Sequence, residues 1–174
     1  FNNYKFSEIA AHLDELIVIN VNPKSFTEKL FLDTIEKIVE NVFIPVSVGG
    51  GINSSNQAVE YLNSGADKII LNSLIRNNPN IVSSITSLLG SQSVVASVDY
   101  KFNNNKIFVF DWLSKSIIKN LDINDYLKTC EELEVGEILL NSVEKDGTGF
   151  GFDLDFIKNI SSVFKLPLIV MGGA

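Results

Sequence analysis

The stretch PVSVGGG, residues 45–51, returns in altered form as PLIVMGGA, residues 167–174. The likeness extends on the upstream side at one constant offset, the 122 residues that separate Pro45 from Pro167. The further matched pairs are Glu15 with Glu137, Leu32 with Leu154, Ile35 with Ile157, Ile38 with Ile160, Ile44 with Leu166, Gly50 with Gly172 and Gly51 with Gly173. A match that runs through helix, strand and glycine turn predicts an internal repeat.

Six short apolar runs predict the β-strands of the chain. They are ELIVINV (15–21), PVSV (45–48), KIILN (68–72), SVVASVD (93–99), EILLNS (137–142) and LIVM (168–171). Each run is nearly continuous in apolar residues, which is typical of parallel strands buried on both faces. Amphipathic stretches at 28–42, 54–64, 79–89, 122–134 and 154–164 predict helices between them. The exception is 100–120, where NNNK (103–106) predicts the turn of an inserted β-hairpin.

Alternating strands and helices predict right-handed βα units and therefore an α/β fold. Such units build either an open doubly wound sheet or a closed barrel. The repeat offset spans four units, half of an eight-unit barrel, so it favours a (β/α)8 or TIM barrel made of two similar halves. By count, the chain covers about the second to the seventh barrel strand. We therefore expect one domain over residues 1–174 that is incomplete at both ends, with residues 4–16 in a helix.

Composition and charge exclude several classes of protein. The net charge of −7 disfavours nucleic acid as a partner, because a negative field repels phosphate backbones. No apolar run approaches the roughly 18 residues of a membrane span, and the first residues do not form a signal peptide. A single cysteine excludes an internal disulfide, which favours a cytoplasmic protein. Cys130 and His12 fall in predicted helices and are expected to be structural, and no metal or other cofactor is expected.

The candidate site lies where the predicted strands end, because ligands bind barrels at the C-terminal ends of the strands. The residues found there are Gly50, Gly51, Asn72, Ser73, Asp99, Lys101, Asn141, Asp146, Gly147, Gly172 and Gly173. Glycine loops at matching positions of the two halves predict two anion sites, since backbone N–H groups bind phosphate without net positive charge. Ordinary turns are the alternative interpretation of these glycines.

Asp99 is the candidate catalytic residue. It ends a wholly apolar strand, where a carboxylate costs free energy unless it has a partner or a chemical role. A general acid–base at this position is the functional interpretation. A carboxylate that only caps a loop is the alternative.

Five motifs resemble the cyclase subunit of imidazole glycerol phosphate synthase, the HisF family. They are VSVGGGI (46–52), GADKIILNS (65–73), SQSVVASVD (91–99), GEILLNSVEKDGT (136–148) and the terminal MGGA. The resemblance implies a phosphate-binding (β/α)8 barrel that acts as a lyase in histidine biosynthesis. It also implies a heterodimer with a glutaminase subunit whose ammonia attacks a bis-phosphorylated ribulosyl aminoimidazole nucleotide, giving imidazole glycerol phosphate.

The resemblance also implies roles for particular residues. Asp99 matches the second of two catalytic aspartates, and the first would lie upstream of Phe1, so residues 1–174 alone are expected to be inactive. One phosphate site maps to Gly51, Asn72 and Ser73, and the other to Asp146, Gly147 and Gly173. At the opposite face, the residues that match a charged ring gating an ammonia channel are Glu15, Lys68 and Glu137.

Two departures from the family pattern keep other functions open. Asn20 stands where the family usually has Asp, and Met171 stands where it commonly has Ser. A paralogous branch that modifies sugars of surface polysaccharides, with its own glutaminase-like partner, is therefore an alternative. A phosphate-binding barrel without catalysis, acting only through a partner, is a further one.

Overall fold

The computed structural model describes residues 10, 12–22, 25–104 and 106–174, with residues 25–27 described in backbone only. The predicted helix over residues 4–16 lies for the most part outside the described residues. Where its end is described, Ala10 is helical and His12 lies in an exposed turn, so the helical placement of His12 was wrong.

A single eight-stranded sheet forms the centre of the fold. The strands are β1 (Leu16–Ile19), β2 (Val46–Gly49), β3 (Lys68–Leu71), β4 (Val94–Asn103), β5 (Lys106–Asp111), β6 (Ser116–Asp122), β7 (Glu137–Ser142) and β8 (Leu168–Met171). Six of them pair in parallel, in the order β1-β2-β3-β4-β7-β8. These six are the strands that the apolar runs predicted.

Helices connect the parallel strands as expected. They are α1 (Ser25–Val39), α2 (Ser55–Asn63), α3 (Ser73–Asn77), α4 (Pro79–Leu89), α5 (Ile123–Glu132) and α6 (Leu154–Val163). Local sequence explains several boundaries: the Ser54 side chain caps α2 by accepting from the Gln57 N–H, and Pro79 opens α4. The short α3 was not predicted, because five residues are too few to show a periodic pattern.

The internal repeat is confirmed in strand register. Leu16 pairs with Val46 between β1 and β2, and Ile138 pairs with Leu168 between β7 and β8, which is the same pairing displaced by the repeat offset. The same backbone hydrogen bond precedes each pair, from Leu16 N–H to the Pro45 oxygen and from Ile138 N–H to the Pro167 oxygen, both at 2.9 Å. The sequence likeness therefore reflects two similarly built strand pairs.

The insertion after the predicted strand 93–99 is larger than a simple hairpin. β4 itself continues to Asn103, the chain turns at Asn104 within the predicted NNNK segment, and β4 pairs antiparallel with β5. β5 then pairs antiparallel with β6. A 2.8 Å ion pair between Arg76 Nη2 and Asp111 Oδ1 joins this insertion to α3. Burial alone would raise the pKa of Asp111, but hydrogen bonds from Ser114 and the Arg76 ion pair lower it to about 2.

Two apolar clusters pack on the two faces of the sheet. The larger joins strand residues such as Val48, Ala96 and Leu140 to the helices. The smaller lies on the opposite, inner face and consists of strand residues alone: Ile17, Ile70, Val95, Leu139 and Ile169. The sheet is not closed, since β1 and β8 each pair with one strand within the described ranges. The α/β class and the parallel strand order of a barrel are confirmed.

Candidate active site

The inner face of the sheet carries three layers of side chains, because successive residues of a strand point to opposite faces. Charged residues lie at the strand starts, the small apolar cluster lies in the middle, and polar residues lie at the strand ends. The charged layer comprises Glu15, Ser47, Lys68 and Glu137. The polar layer comprises Asn72, Ser97, Asp99 and Asn141.

Lys68 joins the predicted charged set into one cluster at the strand starts. Its Nζ lies 2.8 Å and 2.9 Å from the two carboxylate oxygens of Glu137 and 3.2 Å from Glu15 Oε2. Ser47 Oγ donates a hydrogen bond to the other Glu15 oxygen. Burial would lower the pKa of Lys68, but the hydrogen bonds to Glu137 and Glu15 outweigh it and raise the pKa, so Lys68 stays charged.

Asp67, the residue before Lys68, has a partner outside this cluster. Its Oδ2 accepts a 2.8 Å hydrogen bond from the backbone N–H of Val46. One ammonium therefore faces two carboxylates, which leaves a formal charge of −1 on the cluster of Glu15, Lys68 and Glu137.

Asp99 lies at the opposite end of the strands and is only 4% exposed. Asn72 on one side donates from Nδ2 to Asp99 Oδ2 at 2.6 Å, and Asn141 on the other donates from Nδ2 to Asp99 Oδ1 at 2.7 Å. Both carboxylate oxygens are thus held by amide donors from the flanking strands, which fixes the orientation of the carboxylate. The structure brings three predicted site residues into direct contact.

The Asn141 side chain has a second feature. Its Oδ1 is buried and accepts no hydrogen bond from any described residue. A buried polar atom without a partner costs about 1–3 kcal/mol. The orientation is nevertheless imposed by Asp99, because turning the amide over would face an oxygen with a carboxylate oxygen.

The first predicted anion site surrounds the end of β2. Gly50 and Gly51 both have positive φ angles, 101° and 72°. A Cβ atom on Gly50 would lie 2.2 Å from the backbone oxygen of Asn20, so only glycine fits at this position. Ser73 begins α3 immediately after Asn72. Because the Asn72 amide is engaged by Asp99, the Gly50–Gly51 backbone and Ser73 are the groups that remain for an anion.

The second predicted anion site is assembled from two loops. Gly173 accepts a 2.6 Å hydrogen bond from the Gly151 N–H, and a Cβ on Gly172 would lie 2.4 Å from the Ser142 oxygen. The turn of residues 172–173 therefore packs against the loop of residues 143–152 that carries Asp146 and Gly147. Both of these loop residues are exposed.

Lys101 lies beside this loop. Its Nζ is 3.5 Å from Glu144 Oε1, and both side chains are about 40% exposed. The Glu144 side chain also accepts a hydrogen bond from the backbone N–H of Phe102. Lys101 is therefore attached to the loop, and its assignment to a ligand stays a prediction.

Sequence reasoning missed the cluster formed by Tyr100, Ser142, Lys145 and Asp153. Asp153 precedes a predicted helix, where an aspartate is normally interpreted as a cap. Its side chain instead contacts two strands and a loop. Burial raises the pKa of Tyr100, and the neighbouring Asp153 carboxylate raises it further. Burial would also raise the pKa of Asp153, but Lys145, Tyr100 and Ser142 lower it.

The remaining predictions concern residues away from the site. Cys130 is fully buried in α5, and burial raises the pKa of its thiol to about 12, which agrees with a structural role. Across the described ranges, no group of three or more His, Cys, Asp and Glu side chains is placed to hold a metal ion. None of the helices in the described part of the chain is both long and apolar enough to cross a membrane.

Comparison with known proteins places the chain in a family. The family model described as "Histidine biosynthesis protein" matches residues 5–174. The chain belongs to this family. Among curated relatives, the imidazole glycerol phosphate synthase subunit HisF of Legionella pneumophila is 35% identical, over 99% of this chain and 81% of its own length.

Other HisF relatives are similarly close. The protein of Pyrococcus furiosus is 34% identical over 93% of this chain, and that of a Thermotoga species is 36% identical over 97%. The chain spans 64% and 66% of the length of these two relatives, slightly less than two-thirds.

Proposed function

We propose that this chain belongs to the cyclase subunit of imidazole glycerol phosphate synthase. In this proposal, ammonia reacts with a bis-phosphorylated ribulosyl aminoimidazole nucleotide, and the product is imidazole glycerol phosphate. The observation that carries the proposal is the arrangement of Asp99, a nearly buried carboxylate held by two asparagine amides at the ends of parallel strands. The names of the relatives support the choice of reaction.

Asp99 would act as a general acid–base. A carboxylate whose two oxygens are fixed by Asn72 and Asn141 does not need to reorient when it accepts or returns a proton. The glycine turns at 50–51 and 172–173, which occupy equivalent positions of the repeat, would bind the two phosphates through backbone N–H groups.

The partner would be a glutaminase subunit that docks at the face of Glu15, Lys68 and Glu137. Ammonia entering there would pass the charged cluster and then the apolar layer of the inner face before it reaches Asp99. Mixing the two purified subunits tests this step. We expect glutamine-dependent turnover in the mixture and only ammonium-dependent turnover without the partner.

A second candidate substrate is a sugar of a surface polysaccharide. Met171 favours it, because this residue pairs with Asn141 across β7 and β8 and is 37% exposed at the strand ends. A thioether there replaces the hydroxyl donor expected of the histidine-pathway family. Asn20 gives weaker support, because its Oδ1 already accepts a hydrogen bond from the nearby Asn22 N–H.

The deciding experiment is a turnover assay of the full-length protein with an ammonium salt as nitrogen source. Formation of imidazole glycerol phosphate from the ribulosyl aminoimidazole nucleotide would support the first substrate. Absence of product from a folded full-length protein would reject it and favour the sugar. A Met171→Ser variant that gains turnover of the nucleotide would identify this residue as the cause of the difference.

A further inference from the structure

Four side chains converge on one point directly behind the candidate active site. Asp99 and Asn141 face each other across β4 and β7 on the inner face, and the next residues along these strands, Tyr100 and Ser142, are also paired in register. Because side chains alternate, Tyr100 and Ser142 point to the outer face. They are 0% and 1% exposed, and both contact Asp153.

Asp153 uses both carboxylate oxygens in this cluster. Oδ2 accepts hydrogen bonds from Tyr100 Oη at 2.8 Å and from Ser142 Oγ at 3.0 Å. Oδ1 lies 2.6 Å from Lys145 Nζ, and the Asp153 side chain is only 11% exposed. One carboxylate thus links β4, β7 and the loop that follows β7.

The contacts of Asp153 are made at the expense of a local one. Asp153 occupies the cap position of α6, where an aspartate normally accepts a hydrogen bond from a backbone N–H of the first helical turn. Its side chain makes no such bond. The position is therefore used for long-range contacts rather than for helix capping.

The loop of residues 143–152 begins and ends at this cluster. It starts after Ser142 and ends at Asp153. The backbone oxygen of Ser142 accepts hydrogen bonds from the N–H groups of Lys145 and Asp146. The Lys145–Asp153 ion pair therefore closes the base of the loop that carries Asp146 and Gly147. The C-terminal part of the loop is attached to Gly173 through the Gly151 N–H.

We propose that Asp153 is a positioning residue that couples the loop of residues 143–152 to the strand ends carrying Asp99 and Asn141. The bonds to Tyr100 and Ser142 hold the two strand ends in register from behind, and the ion pair with Lys145 holds the loop in the same frame. As far as catalysis is concerned, the inference rests on the proposed function. Its geometric part is independent of any reaction.

Two conservative substitutions test separately the two contacts of Asp153, the ion pair with Lys145 and the hydrogen bond from Tyr100. Asp153→Asn keeps an oxygen that can accept from Tyr100 and Ser142, but it removes the charge that binds Lys145. Tyr100→Phe removes only the hydroxyl that ties β4 to Asp153 and leaves the ion pair in place. Asp155→Asn is the matched control, since Asp155 is an exposed aspartate in the first turn of the same helix.

The first readout is hydrogen exchange at the loop amides of the full-length protein without substrate. In Asp153→Asn we expect the N–H groups of Asp146 and Gly151 to exchange about tenfold faster, because one charge-assisted contact is lost. Asp155→Asn should leave both rates unchanged. Unchanged rates in Asp153→Asn, or an equal effect in Asp155→Asn, would overturn the inference. If Asp153→Asn does not fold, Lys145→Met removes the same ion pair from its other partner, whose side chain is 30% exposed.

The second readout is the geometry and turnover of Tyr100→Phe. A crystal structure should show the 2.7 Å contact between Asn141 Nδ2 and Asp99 Oδ1 lengthened beyond hydrogen-bond distance. Turnover should fall about tenfold in kcat with KM unchanged. If Tyr100→Phe keeps both the contact between Asn141 and Asp99 and the wild-type kcat, the proposed effect of Asp153 on the strand ends is refuted. A full-length wild-type protein that turns over nothing would refute only the proposed function, because exchange and crystal geometry still report the coupling.

Discussion

Replacing Lys68 with Met removes the ammonium that lies between Glu15 and Glu137. The wild-type Nζ makes three contacts with the two carboxylates, between 2.8 and 3.2 Å. Methionine fills a similar volume but leaves two carboxylates facing each other on the inner face of the sheet. We expect the folded protein to be destabilised.

The magnitude follows from the burial of the cluster. The side chains of Lys68, Glu15 and Glu137 are 19%, 24% and 22% exposed, so they are mostly but not fully removed from water. Breaking a fully buried pair costs about 3–5 kcal/mol, and an exposed pair contributes about 0–1 kcal/mol. The cost for Lys68→Met should therefore be about 2–3 kcal/mol, which corresponds to a shift of roughly 1 M in the urea midpoint.

Urea unfolding of the full-length protein, followed by circular dichroism, measures this cost. Lys158→Met is the control, because Lys158 is exposed on α6 and its replacement should change the free energy of unfolding by less than about 0.5 kcal/mol. The raised pKa of Lys68 adds a sign test: its stabilisation is complete below the ordinary value of 10.5 and is lost as the pH rises beyond it. The gap between wild type and Lys68→Met should thus stay constant from pH 7 to 10 and narrow above. Equal midpoints for the Lys68 and Lys158 variants at pH 7 would show that Lys68 does not stabilise the folded protein through Glu15 and Glu137.

Three further predictions concern stability and reactivity. The ionised Asp111 carboxylate should stabilise the folded protein by about 1–2 kcal/mol above its ordinary pKa of 3.8, and this stabilisation is lost as the pH falls toward 2. The difference in free energy of unfolding between wild type and Asp111→Asn, measured at decreasing pH, should therefore vanish between pH 3.8 and 2. Gly50→Ala should lower the free energy of unfolding, measured in urea, by about 3 kcal/mol or more, because the new Cβ would overlap the Asn20 oxygen. At Gly147 a Cβ meets open space, so Gly147→Ala should cost only the roughly 1–2 kcal/mol of a left-handed backbone. Native Cys130 should resist alkylation at pH 8 and react only after unfolding, since its thiol is buried and its pKa is about 12.

Each of these has an outcome that would contradict it. A difference in free energy of unfolding between wild type and Asp111→Asn that stays constant down to pH 2 would show that the ion pair does not lower the pKa of the Asp111 carboxyl. Equal costs for the two glycine variants would show that the close approach at Gly50 relaxes freely. Rapid labelling of native Cys130 would show that α5 opens far more often than its burial implies.

The parallel strands were predictable because burial on both faces leaves a direct mark in the sequence. The segments LIVM at 168–171 and IIL at 69–71 have no polar interruption, and the structure pairs both in parallel. The repeat was predictable for a similar reason, since a strand pair that keeps its register keeps its apolar spacing and its glycine turn.

The partners of polar side chains were not predictable, because they depend on which strand ends become neighbours. Asp67 adjoins Lys68 in sequence, yet its carboxylate accepts from Val46 on another strand. Asn72 was expected to bind a ligand, and its amide is engaged by Asp99, 27 residues away. Asp153 has the sequence position of a helix cap, but the folded chain places it beside Tyr100, Ser142 and the ammonium of Lys145, and its side chain bonds to these instead.

We propose that Asp99, held between Asn72 and Asn141, performs acid–base chemistry at the strand ends. The most direct test is the ammonium-dependent kcat of full-length Asp99→Asn, measured beside wild type on the ribulosyl aminoimidazole nucleotide. We expect a loss of about 10²–10⁴-fold in kcat from a variant that still folds, since an asparagine fits the same space although its single oxygen can accept from only one of the two amides. A folded Asp99→Asn protein with kcat within a few-fold of wild type would contradict it.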